Sequence, residues 1–373
     1  MSDLLDYIDW RGDISFESSP LNEVDALVFC QLSYINFTSV VPSSFTDGIS
    51  MAAVLEAFAS LPDLESRKTQ GAFINTKTWT LLEKAATCRR FRDVKLCGYM
   101  DKYIPETTEQ FSATTFATGQ FNFIAYRGTD DTMVGWNEDF NLAYLDKVPA
   151  QEDALLYLEN AAADLEGTII IGGHSKGGNL AVYAASKAGP SIVDRVMAIY
   201  NNDGPGFKAE FFQEQGFLSA AGKIQSFVPE FSIVGMLFSH VDEYVTVEST
   251  GSGIMQHDPF TWKVHGPRFR QLEDTNSKSK YIEKTVNGWI NKLNIEQKKV
   301  FVTSLFGMLK DTGVSTNTDL ASMSHDEIFR IIRNVAEADR QTRKMLFETF
   351  RLLAKTAVES IQDQHKDNFS LLN

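Results

Sequence analysis

Residues 168–180 read TIIIGGHSKGGNL, an apolar run that passes through two glycines to a serine and then into an alanine-rich helical pattern. Ser175 lies between Gly173 and Gly177 in a G-x-S-x-G arrangement. Glycines two residues to either side let neighbouring backbone approach without Cβ clashes, which a sharp turn from strand to helix requires. The stretch therefore predicts a buried strand, a strained turn that carries Ser175, and a helix.

A serine on such a turn is presented above the sheet, beside the N-terminus of the following helix. The N–H groups and dipole of that helix end favour negative charge, and an oxyanion would develop there. A serine hydroxyl is a weak nucleophile until a histidine, oriented by a carboxylate, removes its proton. The pattern indicates a nucleophile elbow, and it requires a histidine and an acid later in the chain.

The sequence around this stretch alternates between strand and helix patterns. Short apolar runs predict strands at 121–126, 168–172, 196–200, 224–228 and 244–247, and two more strands are predicted at 94–103 and 110–118. Helical patterns occupy 50–61, 77–89, 151–165, 177–188 and 209–216, and Asn22 is placed to cap an earlier helix of about 14 residues. The alternation predicts an α/β fold with a mostly parallel sheet covered by helices on both faces.

Beyond residue 275 only helical patterns remain. Two capping-box pairs, Asn294 with Gln297 and Ser324 with Glu327, precede apolar runs of helical period. We expect an α/β domain over residues 1–274 and a helical C-terminal appendage over residues 275–373, which acts as a packing element or a lid.

Composition excludes several classes of function. The 373 residues carry a formal charge of −14, which repels nucleic acid and anionic membrane surfaces. The three cysteines form no CxxC pair, and HExxH, Walker and strand-linked GxGxxG motifs are absent, so no metal or organic cofactor is implied. The acidic N-terminus and the lack of a long apolar run predict a cytoplasmic protein without a transmembrane segment. Nothing indicates an oligomeric state.

Five of the six histidines follow Ser175, and His240, His257, His265 and His325 are among them. His257 lies in the loop after the last predicted strand, where nearby glycines let the chain bend toward the serine. We assign His257 as the general base and keep His240 and His265 as alternatives. His174 precedes the serine and is expected to pack.

For the acid, Asp203 follows the strand at 196–200, at the carboxyl edge of the sheet where ligands bind in open α/β folds. The Gly-Pro-Gly turn at 204–206 fixes its position. Asp203 is the favoured acid, and Asp242 and Asp258 are retained as alternatives. The elbow also implies that the amide of Lys176 donates to the oxyanion.

Two segments upstream carry a family resemblance, YRGT at 126–129 and WNEDF at 136–140. With the elbow, they resemble the α/β-hydrolase fold of the class 3 lipases, in which [FY]-R-G-[TS] and W-x-x-D segments precede the serine in this order. The motifs HSKGGN at 174–179, NDGPGF at 202–207 and QHDP at 256–259 are similar to those of a bacterial group, the Mbeg-like family. The resemblance spans roughly residues 20–265.

The resemblance implies that Thr129 supplies the second oxyanion donor, while Arg127 and Asp139 brace its loop. Class 3 lipases place the acid one strand later, in a D-x-V-P segment. Here residues 229–235 read PEFSIVG, so Glu230 is the alternative acid at that place.

We therefore expect a serine ester hydrolase that cleaves a lipid-like or other apolar acyl ester through an acyl-enzyme. The Lys176 side chain would meet anionic headgroups or solvent. Seven phenylalanines between the acid and the base would line an acyl pocket or fill the core: Phe207, Phe211, Phe212, Phe217, Phe227, Phe231 and Phe238. The alternatives are a non-catalytic binding or scaffold protein, favoured by the missing D-x-V-P, and an acyltransferase with the same triad.

Overall fold

The computed structural model describes residues 2–68, 77–107, 109–129, 147–232, 243–251 and 253–273, with isolated positions 138, 145, 234, 235, 238, 288, 292, 294, 296–298, 343 and 344. Several predicted positions lie outside the described residues, namely Trp136, Asp139, His240, Asp242, Ser324 and His325. The same holds for nearly all of the predicted appendage. At one described place within it, Asn294 and Gln297 exchange side-chain to backbone hydrogen bonds of 2.9 Å, which confirms that capping pair.

A mixed sheet is the centre of the described part. Its strands are β1 (Ile49–Ser50), β2 (Lys95–Ile104), β3 (Glu109–Ala117), β4 (Phe121–Tyr126), β5 (Thr168–His174), β6 (Val196–Asn202), β7 (Ile224–Pro229), β8 (Val245–Val247) and β11 (Gln271–Leu272), in this spatial order. The strands β4 to β8 run parallel to one another, and β1 to β3 and β11 pair antiparallel with their neighbours. A separate hairpin joins β9 (Val264–His265) to β10 (Arg268–Phe269).

Helices cover both faces of this sheet. They are α1 (Leu4–Arg11), α2 (Glu23–Leu32), α3 (Met51–Ala59), α4 (Leu64–Lys68), α5 (Lys77–Thr87), α6 (Pro149–Asp164), α7 (Lys176–Lys187), α8 (Pro190–Arg195) and α9 (Gln215–Ala221). None of these described helices is long and apolar enough to cross a bilayer.

Alternation of side chains along β5 builds the two cores. Ile170 packs in one buried cluster with α2 and α5, while Ile169 and Ile171 pack in the other with α6 and α7. Successive strand residues point to opposite faces, so a strand buried on both sides needs an unbroken apolar run. The predicted α/β fold, with a mostly parallel sheet covered by helices on both faces, is confirmed.

Two of the predicted helices differ from those in the structure. The predicted Asn22 cap is confirmed, because its side chain accepts from the N–H groups of Val24 and Asp25, but α2 is shorter than predicted. The prediction of a single helix at 209–216 is wrong. A 3₁₀ turn, Ala209–Gln213, precedes α9 instead. Aromatic residues lower helix propensity there, and the buried rings of Phe211 and Phe217 anchor two short elements to the same core.

The first and last described segments of the domain meet at the β9–β10 hairpin. The N–H of Val264 donates to the carbonyl oxygen of Ser2 at 2.9 Å. The N–H of Phe269 donates to Glu23 Oε1, at the start of α2, at 2.7 Å. The N-terminal helices are thus fixed by residues near position 270.

Candidate active site

Ser175 lies at the turn between β5 and α7, with φ 57° and ψ −133°. Positive φ is uncommon for a residue with a Cβ, so the surrounding structure must hold this conformation. The Ser175 N–H donates to Asn202 O at 2.9 Å, and the Ser175 carbonyl accepts from the Gly178 N–H at 2.9 Å. The predicted sequence of strand, strained turn and helix is confirmed.

The two glycines that flank the serine are required by close backbone packing. A Cβ on Gly173 would lie 2.1 Å from the backbone of Gly177, and a Cβ on Gly177 would lie 2.1 Å from Tyr126 O. Neither distance is tolerable, and both clashes would be with backbone. The turn can therefore be this sharp only with glycine at both positions.

Asp203 directly follows β6, the strand beside β5, and is buried, with φ 52°. Its Oδ2 lies 2.6 Å from His257 Nδ1. Its Oδ1 accepts from Ser232 Oγ at 2.5 Å and from the Gly235 N–H at 3.2 Å. Because both oxygens are engaged, the carboxylate is held in one orientation toward the imidazole.

His257 ends a 3₁₀ turn, Gly253–His257, and its side chain is 23% exposed. In the neutral ring, the Nδ1–H that donates to Asp203 leaves a lone pair on Nε2. This is the tautomer that a general base requires, since Nε2 can then accept a proton.

His174, the residue before Ser175, is buried against His257, with ring centroids 4.6 Å apart. Its Nε2 lies 2.9 Å from His257 O, and its Nδ1 lies 3.0 Å from the Tyr34 hydroxyl. Burial, with His257 close by, lowers the pKa of His174 well below its usual value. His174 is buried, as predicted, and its link to His257 is additional.

The alternative site residues that the structure describes occupy other places. Glu230 follows β7, where its backbone N–H donates to Val247 O at 3.0 Å. Asp258 Oδ1 accepts from the Phe260 N–H at 3.0 Å and caps the next 3₁₀ turn, Pro259–Thr261. His265 is exposed in β9.

The predicted oxyanion donors flank the elbow. Lys176 is the first residue of α7, so its amide is at the positive end of the helix dipole. Thr129 is buried after β4. A Cβ on Gly128, its neighbour, would lie 3.1 Å from Ser175 Cβ. Arg127 forms a partly buried ion pair with Asp101, with Nη2 2.9 Å from Oδ1.

The expectation that the Lys176 side chain meets headgroups or solvent is wrong. It is 1% exposed, and its Nζ lies 2.8 Å from Glu138 Oε2, 2.8 Å from Gln110 O and 3.0 Å from Gln110 Oε1. Glu138 Oε1 also accepts from the Ala150 N–H at 3.0 Å. A buried ammonium is tolerated only when it is paired and hydrogen-bonded, and this one is.

Two residues in the family motifs support the site but were not identified from the sequence. The Asn179 amide donates to Pro205 O and Gly206 O at 3.1 and 3.0 Å, and so anchors the turn after Asp203. Gln256 Oε1 accepts from the Phe231 N–H at 2.8 Å. The sequence signal that could have identified them is that each is a polar residue in the same motif as a site residue, Asn179 with Ser175 and Gln256 with His257.

The phenylalanines after Asp203 pack mainly in the core. The rings of Phe207 and Phe211 stack with centroids 4.0 Å apart, and Phe227 packs edge-on against Phe269 on the other face of the sheet. A small apolar cavity adjoins the acid, lined among others by Phe207, Phe212, Phe217, Gly204 and Gly235. Among the described residues, no three His, Cys, Asp or Glu side chains are grouped as metal ligands.

The solved structures that match this chain include several lipases. M37 lipase is 15% identical over 57% of this chain and 69% of its own, with a TM-score of 0.36. A triacylglycerol lipase described as having a serine protease triad as its catalytic centre is 13% identical over 61% and 80%, with a TM-score of 0.35. The Rhizomucor miehei lipase in its propeptide complex is 16% identical over 45% and 66%, with a TM-score of 0.29. No curated protein sequence matches this chain.

A sequence family also matches the chain. The match to the Mbeg1-like family covers residues 85–307, more than half of the sequence. This range contains the HSKGGN, NDGPGF and QHDP motifs on which the resemblance was based. The protein is therefore a member of the Mbeg1-like family.

Proposed function

We propose that this protein is a serine ester hydrolase that cleaves an apolar acyl ester through an acyl-enzyme. The observation that carries the proposal is the 2.6 Å contact between Asp203 Oδ2 and His257 Nδ1, next to a serine held at φ 57°. The His257 backbone is bonded to His174, the residue directly before Ser175. Three neighbouring loops contribute the proposed nucleophile, acid and base. These follow one another along the chain as Ser175, Asp203 and His257, which is the order typical of α/β-hydrolases.

The proposed reaction begins with proton transfer from Ser175 Oγ to His257 Nε2 as Oγ attacks the ester carbonyl carbon. The resulting oxyanion is stabilised by the Lys176 amide and by Thr129. Collapse of this intermediate breaks the ester bond, and the imidazolium of His257 gives its proton to the departing alkoxide. A water molecule, deprotonated by the same imidazole, then attacks the acyl-enzyme. The bond to Ser175 Oγ breaks, Oγ takes back the proton from His257, and the carboxylic acid product is released.

Asp203 remains ionised throughout and stabilises the imidazolium. Helix α7 contributes its positive N-terminal end to the oxyanion. The ammonium of Lys176 is already matched by Glu138, so the proposed oxyanion site relies on backbone donors rather than on this side-chain charge.

The apolar character of the substrate is a proposal from the surroundings of the site. Met255, two residues before His257, is 59% exposed. The cavity next to Asp203 is lined mostly by aromatic and aliphatic side chains. Apolar lining with few polar groups is typical of sites that bind acyl chains.

A fluorophosphonate probe tests the proposal without knowledge of the natural ester. We expect the wild-type protein to be labelled, because an activated serine attacks the probe, and we expect Ser175→Ala to lose labelling. Ser191→Ala, which removes an exposed serine from α8, should be labelled like wild type. Labelling is measured by mass spectrometry.

An unlabelled wild-type protein that is correctly folded would reject the proposal and favour the binding or scaffold alternative. An acyltransferase would be labelled as well, and product analysis with added alcohols or amines separates it from a hydrolase.

A further inference from the structure

Two hydrogen bonds connect the N-terminal part of the chain to the proposed base. Tyr34, just after α2, places its hydroxyl 3.0 Å from His174 Nδ1 and 3.4 Å from His174 O. On the far side of the same ring, Nε2 lies 2.9 Å from the carbonyl oxygen of His257. The side chains of Tyr34 and His174 and the main-chain carbonyl of His257 form one continuous chain of polar contacts beside Ser175.

The direction of each bond follows from what the atoms can do. A carbonyl oxygen only accepts, so His174 Nε2 must carry a proton and donate it to His257 O. The neutral ring then has a lone pair on Nδ1, which accepts from the Tyr34 hydroxyl. Burial keeps the His174 ring neutral, and a second positive ring beside the imidazolium of His257 is thereby avoided.

We propose that Tyr34 and His174 are positioning residues that fix the main chain of His257, so that its ring stays against Asp203 in the orientation that the proposed proton transfer requires. The inference rests on the proposed function. Asp203 holds only one end of the imidazole, and His257 ends a single 3₁₀ turn, so the carbonyl bond supplies a second point of attachment. Displacement of a reacting group by about 1 Å can cost about 100-fold in rate.

Neither residue is placed to take part in the chemistry itself. The hydroxyl proton of Tyr34 is used in the bond to His174, and both ring nitrogens of His174 are engaged. A Cβ on Gly128 would lie 2.2 Å from the Tyr34 oxygen, which shows how closely the YRGT segment packs over this hydroxyl. The pair therefore acts through the geometry of His257.

Two substitutions of His174 separate the donated bond from ring packing. His174→Phe keeps a ring and removes both nitrogens, whereas His174→Gln keeps an N–H close to the position of Nε2. We expect the labelling rate constant with a fluorophosphonate to fall about 10- to 100-fold in His174→Phe. We expect His174→Gln to recover most of that loss. His265→Ala, which removes an exposed histidine of β9, should label at the wild-type rate.

Tyr34→Phe is the second variant, because it removes only one hydroxyl and keeps the ring. We expect it to label about three- to tenfold more slowly, with its unfolding midpoint within a few degrees of wild type. If His174→Phe does not fold, this variant decides the inference.

Three results would overturn the inference: wild-type labelling rates in the folded His174→Phe, wild-type rates in Tyr34→Phe, or equal losses in His174→Phe and His174→Gln. Equal losses would mean that ring packing, and not the donated bond, is what matters. An unlabelled wild type would instead reject the proposed function.

Discussion

Asp203→Asn is expected to lower turnover of p-nitrophenyl acyl esters by about 10⁴-fold, the size of effect known for loss of a triad aspartate. The substitution keeps the shape of the side chain but removes the charge that stabilises the imidazolium. An amide facing His257 Nδ1 also favours the wrong tautomer, since its N–H would donate to the ring. The measurement is kcat/KM across the ester series, with unfolding curves to show that the variant is folded.

Glu230→Gln is the matched control for this prediction. It makes the same chemical change at the place where class 3 lipases have their acid, and we expect kcat/KM within about threefold of wild type because surface substitutions away from a site have small effects. Substantial activity in Asp203→Asn would remove Asp203 from the proposed mechanism. A comparable loss in Glu230→Gln would transfer the role to that residue.

Glu138→Gln is expected to destabilise the protein by about 3–5 kcal/mol, because it leaves the ammonium of Lys176 buried without a counter-charge. Both side chains of this pair are at most 1% exposed, and water cannot replace the lost partner. The free energy of unfolding is measured by urea denaturation at neutral pH. The double variant Lys176→Met with Glu138→Gln removes the unpaired charge and should recover part of the loss.

The Lys147–Glu152 pair supplies a surface control for this experiment. Both of its side chains are 57% exposed, so Glu152→Ala should change the free energy of unfolding by less than about 1 kcal/mol. A loss below about 1 kcal/mol in Glu138→Gln would mean that the Lys176 ammonium does not depend on Glu138 as its counter-charge.

Much of the fold could be predicted because its signals are local. The run at 168–172 is apolar on both faces of the strand, and the glycines around Ser175 are needed within the same turn. The segment at 209–216 was predicted wrongly because Phe211 and Phe217 anchor two separate short elements to the core. The residues against which these rings pack include ones distant in sequence, so a local pattern does not reveal them. A local sequence pattern therefore predicts an element well when distant packing partners do not divide it.

The candidate site was predictable in part. From the sequence, Glu230, Asp242 and Asp258 remained alternatives to Asp203 as the acid. The distance from each carboxylate to His257 depends on the conformation of a different loop, which the sequence does not reveal. The structure brings Asp203 and His257 into contact, while their catalytic roles, the division at residue 274 and a cytoplasmic location stay predictions. The burial of Lys176 was missed because its partners, Glu138 and Gln110, are distant in sequence.

The hairpin of β9 and β10 has a consequence for how the chain acquires its structure during synthesis. Ser2 and Glu23 leave the ribosome before their partners, Val264 and Phe269, which lie some 250 residues later in the chain. Contacts this distant along the chain are slow to form, because a long loop must close before they are made. The contacts of the N-terminal helices with this hairpin therefore form only after nearly the whole α/β unit has been translated, and a chaperone would protect the incomplete fold in that interval.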